Sequence, residues 1–110
     1  MNLHTYQLRA LRTQRPDLTE RQRLVQSALG LAGEAGEFAD LVKKIEFHGH
    51  SPFVSDLTSE LGDVLWYLAA ACDALGVDLD AVAEQNLAKL ERRYPEGFDA
   101  ERSKNREGEG

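Results

Sequence analysis

Two short acidic stretches decide the fold and supply the candidate site. Residues 29–37 read LGLAGEAGE, and residues 60–67 read ELGDVLWY. Each stretch carries two acidic residues three positions apart, and in an α-helix this spacing puts both carboxylates on one face. Apolar residues recur around the acids at helical spacing, so the sequence predicts one helix through each stretch.

Start and stop signals place these two helices within a set of four. A capping box at residues 19–22 begins the second helix, and Gly76 closes the third. Pro16 ends the first, because proline disfavours helix in the residue before it. The predicted helices run from Asn2 to about Gln14, from the Thr19 cap to about Phe47, from Pro52 to about Leu75, and from the Asp78 cap to Tyr94.

The composition favours an all-α protein. β-branched residues never form an alternating run of strand length, so we predict a four-helix-bundle-like protomer without strands. Cys72 is the single cysteine, and with no partner for an intrachain disulfide it is interpreted as a buried, reduced thiol. No segment approaches the roughly 20 apolar residues of a membrane span, and residues 1–5 lack signal-peptide character. These features predict a soluble, cytoplasmic protein.

The net charge of the chain limits the classes of binding partner. A net charge of −6 argues against a protein that coats nucleic-acid phosphates with lysine and arginine. We therefore expect neither a nucleic-acid polymer nor a membrane as partner.

Residues 1–98 are expected to form one domain. Residues 99–110 are highly charged with almost nothing to bury, and are expected to be a disordered tail.

The candidate site consists of Glu34, Glu37, Glu60 and Asp63. If the second and third helices pack antiparallel, as the short loop between them favours, the four carboxylates converge. They would repel one another unless protonated or neutralised by a cation, and an all-oxygen set suits Mg²⁺ or Mn²⁺. The alternative is an ordinary acidic surface, which for one pair alone is at least as common. A di-iron site is disfavoured, because neither pair has the required Glu-x-x-His spacing.

Four glycines accompany the acids, although each costs about 1 kcal/mol against alanine inside a helix. They are Gly30, Gly33, Gly36 and Gly62. Their missing side chains would let another helix, or a ligand, approach the backbone closely.

The two acidic stretches, in this order, resemble the E-x-x-E and E-x-x-D signature of the MazG-like all-α nucleotide pyrophosphohydrolases. Residues 86–95, NLAKLERRYP, are similar to the closing segment of that family, so the resemblance covers about residues 20 to 98. It implies Mg²⁺-dependent hydrolysis of a nucleoside triphosphate, a dNTP or a non-standard NTP, between the α- and β-phosphates to give a monophosphate and pyrophosphate. The open alternatives are a phosphoribosyl-ATP pyrophosphohydrolase of histidine synthesis and a non-catalytic helical interaction module.

The resemblance also assigns roles to the acids. Glu34, Glu37, Glu60 and Asp63 are implied to be the metal ligands and catalytic residues, with Mn²⁺ able to replace Mg²⁺. One of them is a candidate base for the attacking water.

Two candidate substrate ligands lie near the acids. Lys44 follows Glu37 by two helical turns and would reach the outer phosphates, or else it simply pairs with Asp40 at i+4. Trp66, with Tyr67 beside it, would stack on a base, although aromatic residues in an apolar helix more often pack in the core.

Three further candidates lie on the fourth helix. Asn86 falls on its apolar stripe, where an amide is costly without a partner. Lys89 and Arg93 lie close to the same stripe and are implied by the resemblance to contact phosphates. For Arg93 the alternative is a cationic helix end that complements the helix dipole.

The third helix predicts an oligomer, because it is apolar nearly all round. A protomer with a short first helix has too few neighbours to cover it, so we expect a homo-oligomer, a dimer or a tetramer, in which a neighbouring subunit completes the nucleotide pocket. The apolar positions are Leu57, Leu61, Val64, Leu65, Leu68 and Cys72 on one face, and Trp66, Tyr67, Ala69 and Ala70 on the other.

Overall fold

The computed structural model of the chain describes residues 1–48 and 54–98. Within this part of the chain no strand forms beyond one isolated bridge between Pro95 and Gly97, which confirms the all-α fold. The elements are α1 (Leu3–Ala10), a 3₁₀ turn (Leu11–Thr13), α2 (Glu20–His48), α3 (Val54–Ala74) and α4 (Leu79–Arg93).

The helix starts follow from local side-chain hydrogen bonds. Asn2 caps α1, accepting a hydrogen bond from the Thr5 backbone N–H at 2.8 Å. At α2 the predicted capping box is present: the Thr19 backbone N–H donates to Gln22 Oε1 at 2.9 Å, and the Gln22 N–H donates to Thr19 Oγ1 at 3.1 Å. The first helix is shorter than predicted, because its last turn tightens into the 3₁₀ turn.

Gly76 closes α3, as predicted. Its φ of +72° lies in the left-handed region that favours glycine. The Val77 N–H donates back to the Cys72 carbonyl at 2.8 Å, which satisfies a carbonyl at the helix end. The predicted turn at Gly49 and Pro52, and the predicted tail at residues 99–110, lie outside the described residues.

The chain divides into two compact units, Met1–Leu79 and a second that begins at Asp80. The first unit holds α1, α2 and α3, and the second holds nearly all of α4. A bundle of all four helices within one protomer therefore stays a prediction.

In the first unit α2 and α3 pack along each other in antiparallel orientation, as predicted. Small residues permit this close packing, because Ser27 of α2 and Ala70 of α3 are almost completely buried. Residues later in α2 meet residues earlier in α3. The contacts that show this order are the ion pair of Arg23 with Asp73, the approach of Tyr67 to Gly30, and the interaction of Glu34 with Glu60.

A small core lies where α1 covers the end of α3. Ala69, Cys72 and Leu79 are buried there, and Leu3, Tyr6 and Leu65 pack against them. Cys72 is a free, buried thiol as predicted, and burial, followed by the nearby charge of Asp78, raises its pKa.

The buried Gln7 side chain fastens α1 to this end of α3. Its Nε2 donates to the Ala69 carbonyl at 3.3 Å and the Val77 carbonyl at 3.2 Å, while its Oε1 accepts from the Leu79 N–H at 2.9 Å. The amide thereby satisfies the Leu79 N–H at the start of α4 and the Val77 carbonyl, and it adds a second hydrogen bond to the Ala69 carbonyl within α3.

Large apolar side chains remain exposed on the α2–α3 pair. Leu29 is 71% exposed and Leu61 is 50% exposed, although Ala69 and Ala70 on α3 are buried. The helices found in the described part of the chain are all too short or too polar to span a membrane.

Candidate metal centre

Three glutamates meet where the middle of α2 faces α3. Glu34, Glu37 and Glu60 each offer one carboxylate oxygen, and these three oxygens all lie within 4.8 Å of one another. Glu34 and Glu60 are half-buried and Glu37 is exposed. We call these three residues the glutamate cluster.

The two half-buried members of the cluster need a cation or a proton. With both groups ionised, the buried Oε2 atoms of Glu34 and Glu60 have no hydrogen-bond donor among the described residues. A proton shared with Glu34 is the main reason that the pKa of Glu60 is raised, and burial and repulsion by Glu34 act in the same direction. A hydrogen bond with Glu37 opposes this shift. A divalent cation would relieve the same repulsion, so the donor set fits Mg²⁺ or Mn²⁺.

Asp63 lies beside the glutamate cluster and not within it. Among the described residues, the group that meets within 4.8 Å contains the three glutamates alone. Asp63 follows Glu60 by three residues, an advance of about 4.5 Å along α3. Its charge is nevertheless near enough to raise the pKa of Glu60. The structure therefore brings the three glutamates together and places Asp63 next to them, and the role of all four as metal ligands stays a prediction.

Open cavities adjoin the cluster through different members. One, of about 430 Å³, is lined by Gly33, Gly36, Glu37, Asp40, Leu41 and Glu60. Another, of about 290 Å³, is lined by Glu34, Asp63, Trp66 and Tyr67. We call them the glycine cavity and the aromatic cavity.

The four glycines differ in what lies beside them. A Cβ at Gly30 would fall 2.1 Å from Tyr67 Cε1, so this glycine permits the close approach of α3 that the sequence predicted. At Gly33, Gly36 and Gly62 the same test finds no described atom within 4 Å. Close packing within the described chain therefore does not account for these three, and two of them line the glycine cavity instead.

Lys44 takes the simpler of its two predicted roles in this structure. Its Nζ lies 3.0 Å from Asp40 Oδ2, and both side chains are about half exposed. Because Asp40 lines the glycine cavity, the pair stands at the edge of that cavity.

Trp66 and Tyr67 both pack against the protein, as the more common interpretation predicted. The Trp66 Nε1–H donates to Thr13 Oγ1 at 2.9 Å and to the Ala10 carbonyl at 3.2 Å. Its ring meets the Tyr67 ring edge to face, with centroids 5.0 Å apart and planes at 84°. Trp66 still lines the aromatic cavity, so packing does not remove it from the candidate site.

Comparison with known proteins identifies the family of the chain that carries the glutamate cluster. The MazG nucleotide pyrophosphohydrolase domain matches residues 22–98. This chain belongs to the MazG family. The Gene 37 protein of Mycobacterium phage L5 is 44% identical over 73 residues, which cover 63% of this chain and 64% of that protein. The match thus spans somewhat less than two thirds of the length of this relative. No solved structure matches the MazG chain described here.

The MazG match includes α4, which carries the remaining predicted site residues. Asn86 is exposed, as are Leu87 and Leu90 on the same helix, so the described residues do not cover this part of the predicted apolar stripe. Lys89 and Arg93 are half-buried, and Arg93 belongs to the cationic last turn. Contact of these three residues with substrate stays a prediction.

Sequence reasoning missed the contribution of the N-terminal segment. The Tyr6 side chain is close enough to Asp63 for that charge, after burial, to raise the pKa of Tyr6. Thr13 holds Trp66. Neither residue falls within the MazG match, and no spacing rule links positions about fifty residues apart.

Proposed function

We propose that this MazG domain hydrolyses a nucleoside triphosphate, a dNTP or a non-standard NTP, between the α- and β-phosphates, and that it requires Mg²⁺ or Mn²⁺. The products would be the nucleoside monophosphate and pyrophosphate. The observation that carries this proposal is the glutamate cluster, in which two buried carboxylate oxygens find no hydrogen-bond donor among residues 1–48 and 54–98. Burying carboxylate oxygens without a partner costs free energy, and a bound divalent cation would offset that cost.

Glu34, Glu37 and Glu60 would hold the ion, with Asp63 as a further ligand at the edge. A bound divalent ion neutralises phosphate charge and makes a bound water more acidic. Among the acids, Glu37 and Asp63 are exposed and therefore accessible to water. Either would accept the proton that the attacking water loses, while the half-buried Glu34 and Glu60 would remain ligands of the ion.

The adjoining cavities suggest how the substrate lies. The glycine cavity presents backbone without side chains next to Glu37 and Glu60, which suits a bulky polyphosphate. Lys44, at its edge, would contact the outer phosphates. The aromatic cavity places Trp66 next to Glu34 and Asp63, where it would contact the nucleoside. Asn86, Lys89 and Arg93 are proposed as further substrate ligands.

We also propose a cytoplasmic homo-oligomer, a dimer or a tetramer, whose subunits complete each other's sites. Its support is the exposed Leu29 and Leu61 on the helices that carry the glutamate cluster, since apolar surface of this kind is normally covered. Sedimentation equilibrium tests it, and a stable, active monomer at micromolar concentration would contradict it. The acidic charge supports neither a nucleic-acid polymer nor a membrane as partner.

The test of the activity is a nucleotide panel with Mg²⁺ or Mn²⁺, analysed by anion exchange. The panel contains canonical and modified (d)NTPs and phosphoribosyl-ATP. Monophosphate with pyrophosphate is the expected product pair. Diphosphate with orthophosphate as products would show that the assigned bond is wrong. Hydrolysis of phosphoribosyl-ATP alone would identify the protein as a phosphoribosyl-ATP pyrophosphohydrolase of histidine synthesis. Absence of both turnover and metal-dependent nucleotide binding would leave a helical interaction module.

A further inference from the structure

The N-terminal segment, residues 3–13, lies outside the family match but is attached firmly to α3. The MazG match begins at residue 22, whereas α1 and the 3₁₀ turn end at Thr13. Gln7 binds one end of α3, and the 3₁₀ turn binds Trp66 nearer its middle. The segment therefore reaches the part of α3 that carries Asp63 and the aromatic cavity.

The Thr13 hydroxyl fixes the orientation of the Trp66 ring. The indole has one N–H donor, and it is shared between Thr13 Oγ1 at 2.9 Å and the Ala10 carbonyl at 3.2 Å. The Thr13 hydroxyl in turn donates to that same carbonyl at 2.7 Å. Its proton is thus already engaged, which leaves a lone pair directed at the indole.

The remaining sides of the ring are also constrained. Tyr67 meets Trp66 edge to face, and Tyr67 is itself pressed against Gly30, where even a Cβ would not fit. The cavity formed by Trp66 and Tyr67 with Glu34 and Asp63 is the open space next to the indole. A flat ring held in this way loses little freedom when a ligand stacks on it, which favours binding.

We propose that Thr13 is a positioning residue of the nucleotide site, which holds the Trp66 indole where it receives the nucleobase. The inference rests on the proposed function and adds a residue from outside the family match to it. Thr13 acts through Trp66 and does not touch the substrate. Its loss should therefore weaken the binding of nucleotide and leave the bond-breaking step unchanged.

Trp66 supplies its own reporter, because it is the single tryptophan of the chain. The full chain with Mg²⁺ is titrated in turn with the α,β-methylene analogues of ATP, GTP, CTP and TTP, and the fluorescence of Trp66 gives the dissociation constant for each. Thr13→Val removes the hydroxyl at nearly constant shape, Thr13→Ser restores it, and Thr5→Val is the matched control on α1. Thr13→Ala is a second variant without the hydroxyl, should the valine disturb the turn.

The expected result is an affinity about fivefold weaker in Thr13→Val, the value of one neutral hydrogen bond, with KM raised by a similar factor and kcat within about twofold. Thr13→Ser and Thr5→Val should match the unmodified chain. Unchanged affinity in both hydroxyl-free variants would overturn the inference, as would a Thr13→Ser variant as weak as Thr13→Val.

The same titration separates this inference from the activity. If the unmodified chain hydrolyses the nucleotide but Trp66 fluorescence does not respond to the analogue, the inference is wrong and the proposed function stands. If the panel shows no hydrolysis, the proposed function fails; a Trp66 response that depends on the Thr13 hydroxyl would then still support the positioning role for binding.

Discussion

Replacing Gly30 by alanine should destabilise the protein through one identifiable clash. The new Cβ would lie 2.1 Å from Tyr67 Cε1, 2.4 Å from its Cζ and 2.5 Å from its Cδ1. To restore an ordinary contact of about 3.4 Å, the ring must move by about 1.3 Å. The edge-to-face contact with Trp66 opposes such a movement, because Trp66 is held by its own hydrogen bonds.

The size of the change in the free energy of unfolding follows from comparison with Gly33→Ala. Both changes gain about 1 kcal/mol of helix propensity, and both lie on α2. A Cβ at Gly33 meets open space, so that variant should keep the gain. Gly30→Ala also has an overpacking cost of about 1–3 kcal/mol. The two variants should therefore differ by about 1–3 kcal/mol, or by about 4 °C in Tm for each kcal/mol at this chain length.

Urea and thermal unfolding of the metal-free chain measure this difference. A Tyr67→Ala background supplies the control, because the cost of Gly30→Ala should disappear when the ring is absent. If Gly30→Ala is as stable as Gly33→Ala, then Tyr67 of α3 does not lie as close to Gly30 of α2 as the structure has it. If the cost persists without the ring, its cause is not Tyr67.

Three other variants or reagents test separate features. Gln7→Leu should lower the free energy of unfolding by about 2 kcal/mol, because the buried Leu79 N–H loses its acceptor and the Val77 and Ala69 carbonyls each lose one donor; an unchanged urea midpoint would contradict this. Lys44→Met should change stability by less than about 0.5 kcal/mol, since its ion pair is exposed, but should raise KM several-fold; an unchanged KM would leave Lys44 as a partner of Asp40 only. Because burial raises the pKa of Cys72, little thiolate exists near pH 8, and iodoacetamide should alkylate the native chain at least about tenfold more slowly than the urea-unfolded chain; equal rates would refute its burial.

Local sequence signals predicted the elements well. The capping box at Thr19 and Gln22 and the left-handed Gly76 each depend on residues within one helical turn, so sequence alone was sufficient for them. The pairing of Glu34 with Glu60 also followed, because two helices separated by only a few residues of sequence favour antiparallel packing.

Contacts between distant residues could not be predicted in the same way. Gln7 binds Leu79 across 72 positions, and Trp66 binds Thr13 across 53, and neither polar side chain follows any periodic pattern. The position of Asp63 beside the cluster depends on side-chain directions that spacing alone does not give. The exposure of Asn86 shows that an apolar stripe in sequence does not establish what covers it.

The most direct test of the central claim is calorimetric titration of the metal-free chain with Mn²⁺. Three proteins are compared: the unmodified chain, Glu60→Gln, and Glu91→Gln, which changes an exposed acid on α4 in the same way. The account predicts saturable binding by the unmodified chain and by Glu91→Gln, and affinity weakened by about 10–100-fold or more in Glu60→Gln, which removes a proposed ligand. Equal binding by Glu60→Gln and the unmodified chain would contradict a cation site at the glutamate cluster.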